Sequence, residues 1–288
     1  MKQVDNYELE NFELLANNLN LFQGSGGNFS YKNANKIYIT PSGYSVSKCI
    51  TDKIFLEFIT DDIVNLVINK KEIEQKDETY RPSIETYFHA LIPGKYVFHF
   101  HPINLLSDLC SKQFFAQQNT IFSLIDYFKP GLDLSIEINN LQYLDKIILL
   151  KNHGVIISGD TFEQVNHSIE KLFNYFNKPI IQSFNIKRNL YTRELINDFD
   201  FYQNLINRKV FFTPDQCVFL NKIDISSKFL DTNKISFNLN ENKNLNLLTY
   251  IELLESISVS DIDPLTNLEI KKLITWESEE YRLGIKDD

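Results

Sequence analysis

The seven residues Tyr96-Val97-Phe98-His99-Phe100-His101-Pro102 constrain the fold of this chain more tightly than any others. An apolar run that carries two imidazoles and stops at a proline reads as a buried strand. Side chains alternate along a strand, so His99 and His101 face one side and Phe98 and Phe100 the other. Two imidazoles on one face are half of a zinc site. His153 follows a further strand expected at 146–150 and can supply a third ligand. Three imidazoles with one position left open is the pattern of a catalytic zinc, whereas structural sites are closed by four protein ligands. Taken alone, the His-x-His pair is equally compatible with unrelated histidines in a sheet. His89 and His167 fall within expected helices, His89 as a packing or ligand-supporting histidine and His167 facing solvent, and neither joins the metal set.

The rest of the first 180 residues alternates short strands with helices. Leu9, Phe12, Leu15, Leu19 and Phe22 predict a helix over 7–22, followed by the turn Gly24-Ser25-Gly26-Gly27-Asn28. Strands are expected at 28–31, 36–40 and 54–59, with Thr40-Pro41-Ser42-Gly43 turning the chain between the last two. Residues 69–82 read as a charged surface loop. Ser83 caps a helix over 84–92 that Pro93-Gly94 ends, and another helix covers about 103–116. After Asn152-His153-Gly154 comes a strand at 155–157. Asp160-Thr161-Phe162-Glu163 then opens a helix with Val165, Ile169, Leu172, Phe173 and Phe176 on one face. Beyond about 186 the pattern loosens and becomes Asn-rich at 232–246, yet the apolar segments 210–212, 218–220 and 247–257 mark a packed extension. The expected division is therefore 1–185 and 186–288. No segment repeats at solenoid spacing.

Composition removes several function classes. Lys+Arg total 29 against 38 Asp+Glu, a net charge of −9 with no local basic run, which argues against nucleic-acid binding. The longest apolar runs, such as Ile147–Leu150, fall far short of the roughly 20 residues that span a bilayer, and the N-terminus has no apolar signal core. Cys49, Cys110 and Cys217 are isolated, with neither a disulfide framework nor a CxxC pair. A soluble cytoplasmic protein is expected. No Walker loop, strand-linked GxGxxG, HExxH or GxSxG is present, which disfavours nucleotide binding and generic zinc or serine hydrolysis.

Three further features bear on chemistry. The turn at 24–28 can present backbone N–H groups and the Asn28 amide to an anion, and the turn at 40–43 adds a hydroxyl; either is equally readable as a plain turn. Glu85 sits in the first turn of a short helix, where a carboxylate is electrostatically favoured whatever its role.

Taken together and in order, Gly24–Ser30, Ile39–Gly43, Pro82–Glu85, His99–Pro102 and Leu150–Val155 resemble the class II aldolase/adducin family, fuculose-phosphate aldolases in particular, over roughly residues 8–180. The resemblance implies an α/β fold, an αβα three-layer arrangement with a mostly antiparallel central sheet, here with a smaller C-terminal extension. It implies a homotetramer with active sites between subunits. It makes His99, His101 and His153 ligands of one Zn2+, Glu85 the catalytic carboxylate, and Gly27, Asn28, Ser42, Gly43 and Ser83 the cradle of a sugar phosphate. Ile84 departs from the family's fuculose-phosphate aldolases, which carry a second serine there. Tyr127 resembles a tyrosine that donates a proton in a neighbouring site. Thr213-Pro214-Asp215 and Trp276-Glu277-Ser278-Glu279 resemble the extension of longer members, including the aldolase halves of rhamnulose-phosphate aldolase/dehydrogenase fusions. The implied activity is reversible cleavage of a ketose phosphate to dihydroxyacetone phosphate and an aldehyde. The alternatives are a same-family epimerase, dehydratase or decarboxylase, or a metal-free adducin-like interaction protein. The adducin-like branch lacks the metal histidines. The sugar and its stereochemistry depend on pocket shape.

Overall fold

The strand expected at 96–101 is the axis of the molecule. In the computed structural model, which describes residues 6–74, 79–114, 121–141, 144–179, 199–221, 223, 241–276 and 283, the segment Tyr96–Phe100 is buried at every position. We label it β4. Around it lie β1 (Asn28–Asn33), β2 (Lys36–Ile39), β3 (Leu56–Ile59), β5 (Ser123–Ile125), β6 (Ile147–Leu150) and β7 (Gly154–Gly159). The sheet order is β3-β2-β1-β4-β7-β6-β5, and every pairing is antiparallel except β5 with β6.

The alternation of β4 sorts the core into two layers. Phe98 and Phe100 point to one face with Phe29, Val155 and Ile157, and meet Phe12 of helix α1 (Asn6–Ala16) and Phe173 of helix α7 (Phe162–Tyr175). Val97 points to the other face with Ile148 and Ile156, and meets Phe88 of helix α4 (Thr86–Leu91) and Leu134 of helix α6 (Leu132–Asn139). His99, two residues from Val97, belongs to this second face, its ring 5.6 Å from that of Phe88. Helices on both faces of one sheet give the expected αβα sandwich. Helices α2 (Val46–Thr51), α3 (Thr60–Ile68) and α5 (Ile103–Leu109) complete this part.

The described residues between 199 and 276 form a third apolar cluster through α8 (Phe199–Asn207), α9 (Pro214–Leu220), α10 (Glu241–Ser256) and α11 (Asn267–Ile274). Tyr202, Phe211, Leu247 and Tyr250 are buried there together with Leu106 and Cys110 of the α5 segment, so the extension is packed on the first part of the chain. The expected boundary at 185/186 lies outside the described residues, as do residues 232–240 of the Asn-rich segment and Glu277-Ser278-Glu279.

Three local expectations shift. The first helix stops at Ala16 instead of reaching Phe22, because the run of asparagines after it captures the backbone: Asn18 Oδ1 accepts from the Asn20 amide. The helix expected to 116 ends at Leu109, where the extension takes over its last groups: Asp263 N donates to Cys110 O at 2.7 Å and Lys112 N to Asp261 O at 2.9 Å. Helix α3, with Ile63 and Val67 buried, is an element the pattern reading did not assign; its N-cap Ile59 makes no side-chain capping bond, so no capping signal announces it. Among the described residues no helix is long and apolar enough to cross a membrane.

Candidate metal centre and active site

The three histidines arrive from two places. His99 lies in β4, opposite Asn28 of β1. His101 follows directly after the strand, its backbone N–H donating to Leu21 O at 3.0 Å. His153 ends the tight link from β6 to β7, which pair with Leu150 opposite Gly154. That link needs a left-handed residue, and Asn152 supplies it at φ 55°. The Asn152 amide donates to Phe212 O at 3.1 Å and Asp263 O at 2.6 Å, which pins the turn to the extension.

Glycine at 154 is required by space. A Cβ there would lie 2.6 Å from Phe100 O and 2.7 Å from His101 Cδ2. Gly27 combines φ 77° with a Cβ position 2.5 Å from His99 O, so the Gly-rich turn is shaped to lie against the histidine strand.

The tautomers follow from the partners. His99 Nδ1 is 3.0 Å from the Val155 carbonyl, which only accepts, so Nδ1 carries the proton and Nε2 a lone pair. His101 Nδ1 is 3.0 Å from Asp215 Oδ2, with the same consequence. The three Nε2 atoms converge, those of His99 and His101 with their lone pairs: His101 Nε2 is 3.0 Å and His153 Nε2 3.2 Å from His99 Nε2. One ligand atom from each residue lies within 4.8 Å of the others, and all three histidines are buried. Nitrogens about 2.0–2.1 Å from one tetrahedral ion stand about 3.3 Å apart. Converging lone pairs repel one another unless a cation lies between them, so this donor set fits a divalent metal. Burial, followed by the charges of His153, His101 and His89, holds the His99 pKa well below the ordinary histidine value, against the opposing pull of the Val155 carbonyl, and so keeps the ring neutral as a ligand must be.

Glu85 precedes α4, with its backbone N–H donating to Ser83 Oγ at 3.2 Å. Its carboxylate faces the histidines, Oε1 at 3.3 Å from His153 Nε2 and Oε2 at 3.4 Å from His99 Nε2. Asn28 Nδ2 donates to Oε2 at 2.6 Å and also approaches Ser83 Oγ at 3.2 Å. A carboxylate that must receive a proton fixes the amide's orientation. Asn28 Oδ1 then faces His89 Nε2, which must donate, leaving His89 Nδ1 to accept from Ser30 Oγ at 2.7 Å. The His89 pKa is pushed well below the ordinary histidine value by burial and, secondarily, by the charge of Lys32. A neutral His89 thus passes orientation from Ser30 through Asn28 to Glu85.

Gly27, Asn28, Ser42, Gly43 and Ser83 all line one open cleft with Glu85, His101 and His153. Among the described residues the lining contains no lysine or arginine, and Ile84 forms part of its wall. Tyr127 does not line this cleft; it lies in another with Lys129, Asp133, Glu269 and Lys272 and packs against the C-terminal cluster. His167 is exposed on α7 as expected. Sequence reasoning gave His89 a packing or ligand-supporting role without its partners Ser30 and Asn28, and missed the close approach at Gly154 and Asp215 as a partner of His101. A His-Gly step beside a strand start was the available signal for the former miss; the latter had none beyond the Thr-Pro-Asp helix start.

Residues 9–177, more than half the chain, match the Class II Aldolase and Adducin N-terminal domain. The uncharacterized oxidoreductase YuxG of Bacillus subtilis is 32% identical over 115 residues, covering 35% of this chain; the match spans only 16% of that protein's length. The L-fuculose phosphate aldolase of Methanocaldococcus jannaschii is 29% identical over 148 residues, covering 47% of this chain and 74% of its own. Among solved structures, the N-terminal class II aldolase domain of a conserved protein from Thermoplasma acidophilum has a TM-score of 0.47 at 20% identity, covering 61% of this chain and 95% of that one.

Proposed function

The chain belongs to the class II aldolase and adducin family, and from that premise we propose that it is a zinc-dependent aldolase that reversibly cleaves a ketose phosphate to dihydroxyacetone phosphate and an aldehyde. The observation that carries the reading is the convergence of three imidazole nitrogens beside the Glu85 carboxylate, with Glu85, His101 and His153 lining one cleft. Zn2+ held by His99, His101 and His153 would supply Lewis-acid stabilisation of negative charge on the substrate's oxygens. Glu85 moves the proton at the carbon beside the ketone: in the cleavage direction it returns the proton to the enediolate, and in the synthetic direction it removes it. The Asn28 amide, on Glu85 Oε2, keeps the carboxylate aimed into the cleft. Neutral donors from Ser42 and Ser83 and the backbone of Gly27 and Gly43 hold the phosphate, which fixes the register of the bond that breaks. Tyr127, lying outside this cleft, serves the site of a neighbouring subunit in a homotetramer, where it exchanges a proton with the aldehyde oxygen. We place the enzyme in the cytoplasm.

A second reading uses the same centre for epimerisation, dehydration or decarboxylation of a sugar phosphate. It is favoured by Ile84 in the cleft wall, where the resemblance to fuculose-phosphate aldolases breaks. The convergent buried histidines disfavour a metal-free interaction protein. Screening ketose phosphates for release of a triose phosphate tests the aldolase reading. A Glu85→Gln variant is expected to bind metal normally and lose cleavage by about 10²–10⁴-fold. Full activity in that variant would remove Glu85 from the mechanism. Isomerised or decarboxylated product without triose phosphate would select the second reading.

A further inference from the structure

We propose that Asp215, contributed by the C-terminal part of the chain, is a positioning residue of the three-histidine centre, accepting the Nδ1 proton of His101 and holding its Nε2 toward the ion; this rests on the reading that the histidines bind a divalent metal. The two atoms are 3.0 Å apart, and the Asp215 side chain is 8% exposed. A carboxylate withdrawn from water to this degree needs a strong partner, and His101 is one. The hydrogen bond fixes the tautomer and ring plane and raises the basicity of the opposite nitrogen. His99 Nδ1 donates to the neutral carbonyl of Val155, whereas His101 Nδ1 donates to a carboxylate.

The placement of Asp215 is built with care. Thr213 caps α9, with its side chain accepting from Gln216 N, and Pro214 occupies the first helical position, so the chain direction at 215 is fixed. Gln216 Oε1 accepts from Phe212 N at 3.1 Å, and every residue of α9 is buried. Above the Asp215–His101 pair lies Gly26. A Cβ at Gly26 would stand 2.7 Å from Asp215 Oδ2 and 3.2 Å from His101 Nδ1, so only a glycine leaves the pair its room. The Gly-rich turn, the histidine strand and the extension thus meet at one hydrogen bond.

The test uses the full-length protein stripped of metal, then titrated with Zn2+ against a chromophoric chelator and, separately, with Co2+ while its visible ligand-field bands are recorded. Asp215→Ala is expected to weaken Zn2+ binding 10–100-fold. Asp215→Asn keeps an accepting oxygen of the same shape without the charge, so a smaller loss is expected, with shifted Co2+ bands. Gly26→Ala, which leaves the charge in place and crowds the pair, is expected to move both readouts in the same direction. Far-UV circular dichroism and the melting temperature of each metal-free variant separate lost folding from lost positioning; if Asp215→Ala fails to fold, Asp215→Asn decides. Zn2+ affinity within twofold of wild type and an unchanged Co2+ spectrum in a folded Asp215 variant would overturn the proposal. His101→Ala is the control for the premise: should it bind Zn2+ as wild type does, or should wild type bind none, the three-histidine reading itself falls, and Asp215 loses its role with it.

Discussion

The Ser30–His89 hydrogen bond allows a measurement that needs no knowledge of the substrate. Both side chains are fully buried, and the bond is 2.7 Å long. Ser30→Ala leaves His89 Nδ1 without its donor in a dry interior, which costs about 1–3 kcal/mol. His89→Phe fills a similar volume but strips partners from Ser30 Oγ and Asn28 Oδ1 together, so about 2–5 kcal/mol is expected. In the His89→Phe background the Ser30 hydroxyl has already lost its partner, so adding Ser30→Ala is nearly neutral, while the cost at Asn28 Oδ1 stays. A cycle of four urea titrations should therefore return a coupling energy of about 1–3 kcal/mol, with the double variant more stable than the sum of the singles predicts. Additivity within about 0.5 kcal/mol would refute the reasoning, since uncoupled residues cannot be passing orientation from Ser30 to Asn28. The metal readout separates this chain of bonds from the centre itself. Neither residue contributes a converging nitrogen, so Zn2+ affinity in the Ser30→Ala variant should stay near that of wild type.

Three other outcomes are expected. Gly154→Ala forces a Cβ to within 2.6 Å of the Phe100 carbonyl and 2.7 Å of His101 Cδ2, so stability should fall by about 1–3 kcal/mol in urea melts and Zn2+ affinity by at least about tenfold; wild-type affinity would show that the turn yields without disturbing the ligands. Burial lowers the Lys32 pKa to about 8, below the value of about 10.4 in an unfolded chain, so between those values the unfolded state holds the extra proton. Stability should accordingly rise with pH across that window by up to about 3 kcal/mol, and Lys32→Met should flatten the rise; an identical slope in the variant would place its origin elsewhere. Cys49, Cys110 and Cys217 are all buried, with burial pushing the Cys49 thiol up to about 12, so a thiol reagent at pH 8 should find no reactive group in the native protein and three after unfolding. One full equivalent reacting promptly in the native state would contradict the packing.

Legibility in the sequence followed the range of the interaction that does the work. The period of two in Phe98-His99-Phe100-His101 is a property of adjacent residues, and the two faces it implies are the two faces found, Phe98 against Phe12 and Phe100 against Phe22, His99 against Phe88. Capping is similarly local, and Thr161 does accept from the amide of Gln164 at the start of α7. The extent of α5 was not legible, because what ends it at Leu109 is backbone hydrogen bonding to residues 261–263. Helix α3 carries buried apolar residues only at Ile63 and Val67, too short a pattern to stand out beside the strand it continues. The role proposed for Asp215 depends on a contact with His101, far away along the chain, and nothing near 215 in sequence points to it.

That difference has a thermodynamic consequence for the centre. Each histidine is held by a different part of the chain: His99 by the carbonyl of Val155 within the sheet, His101 by Asp215, and His153 by a turn whose Asn152 amide is anchored on Phe212 and Asp263. Two of the three imidazoles are thus oriented through residues 212–263, and the Gly-rich turn is tied to the same region by Asn242 Oδ1, which accepts from Ser25 N at 2.6 Å. If docking of this region improves the geometry in which a cation binds, the cation must by the same free energy strengthen the docking. Metal binding should then protect backbone amides of α9 and α10 from hydrogen exchange more than those of β2 and β3, which lie on the far side of the sheet order from β7 and contribute nothing to the ligands. Equal protection in both regions would mean that the extension is rigid without the ion, and that the sheet alone sets the positions of the histidines.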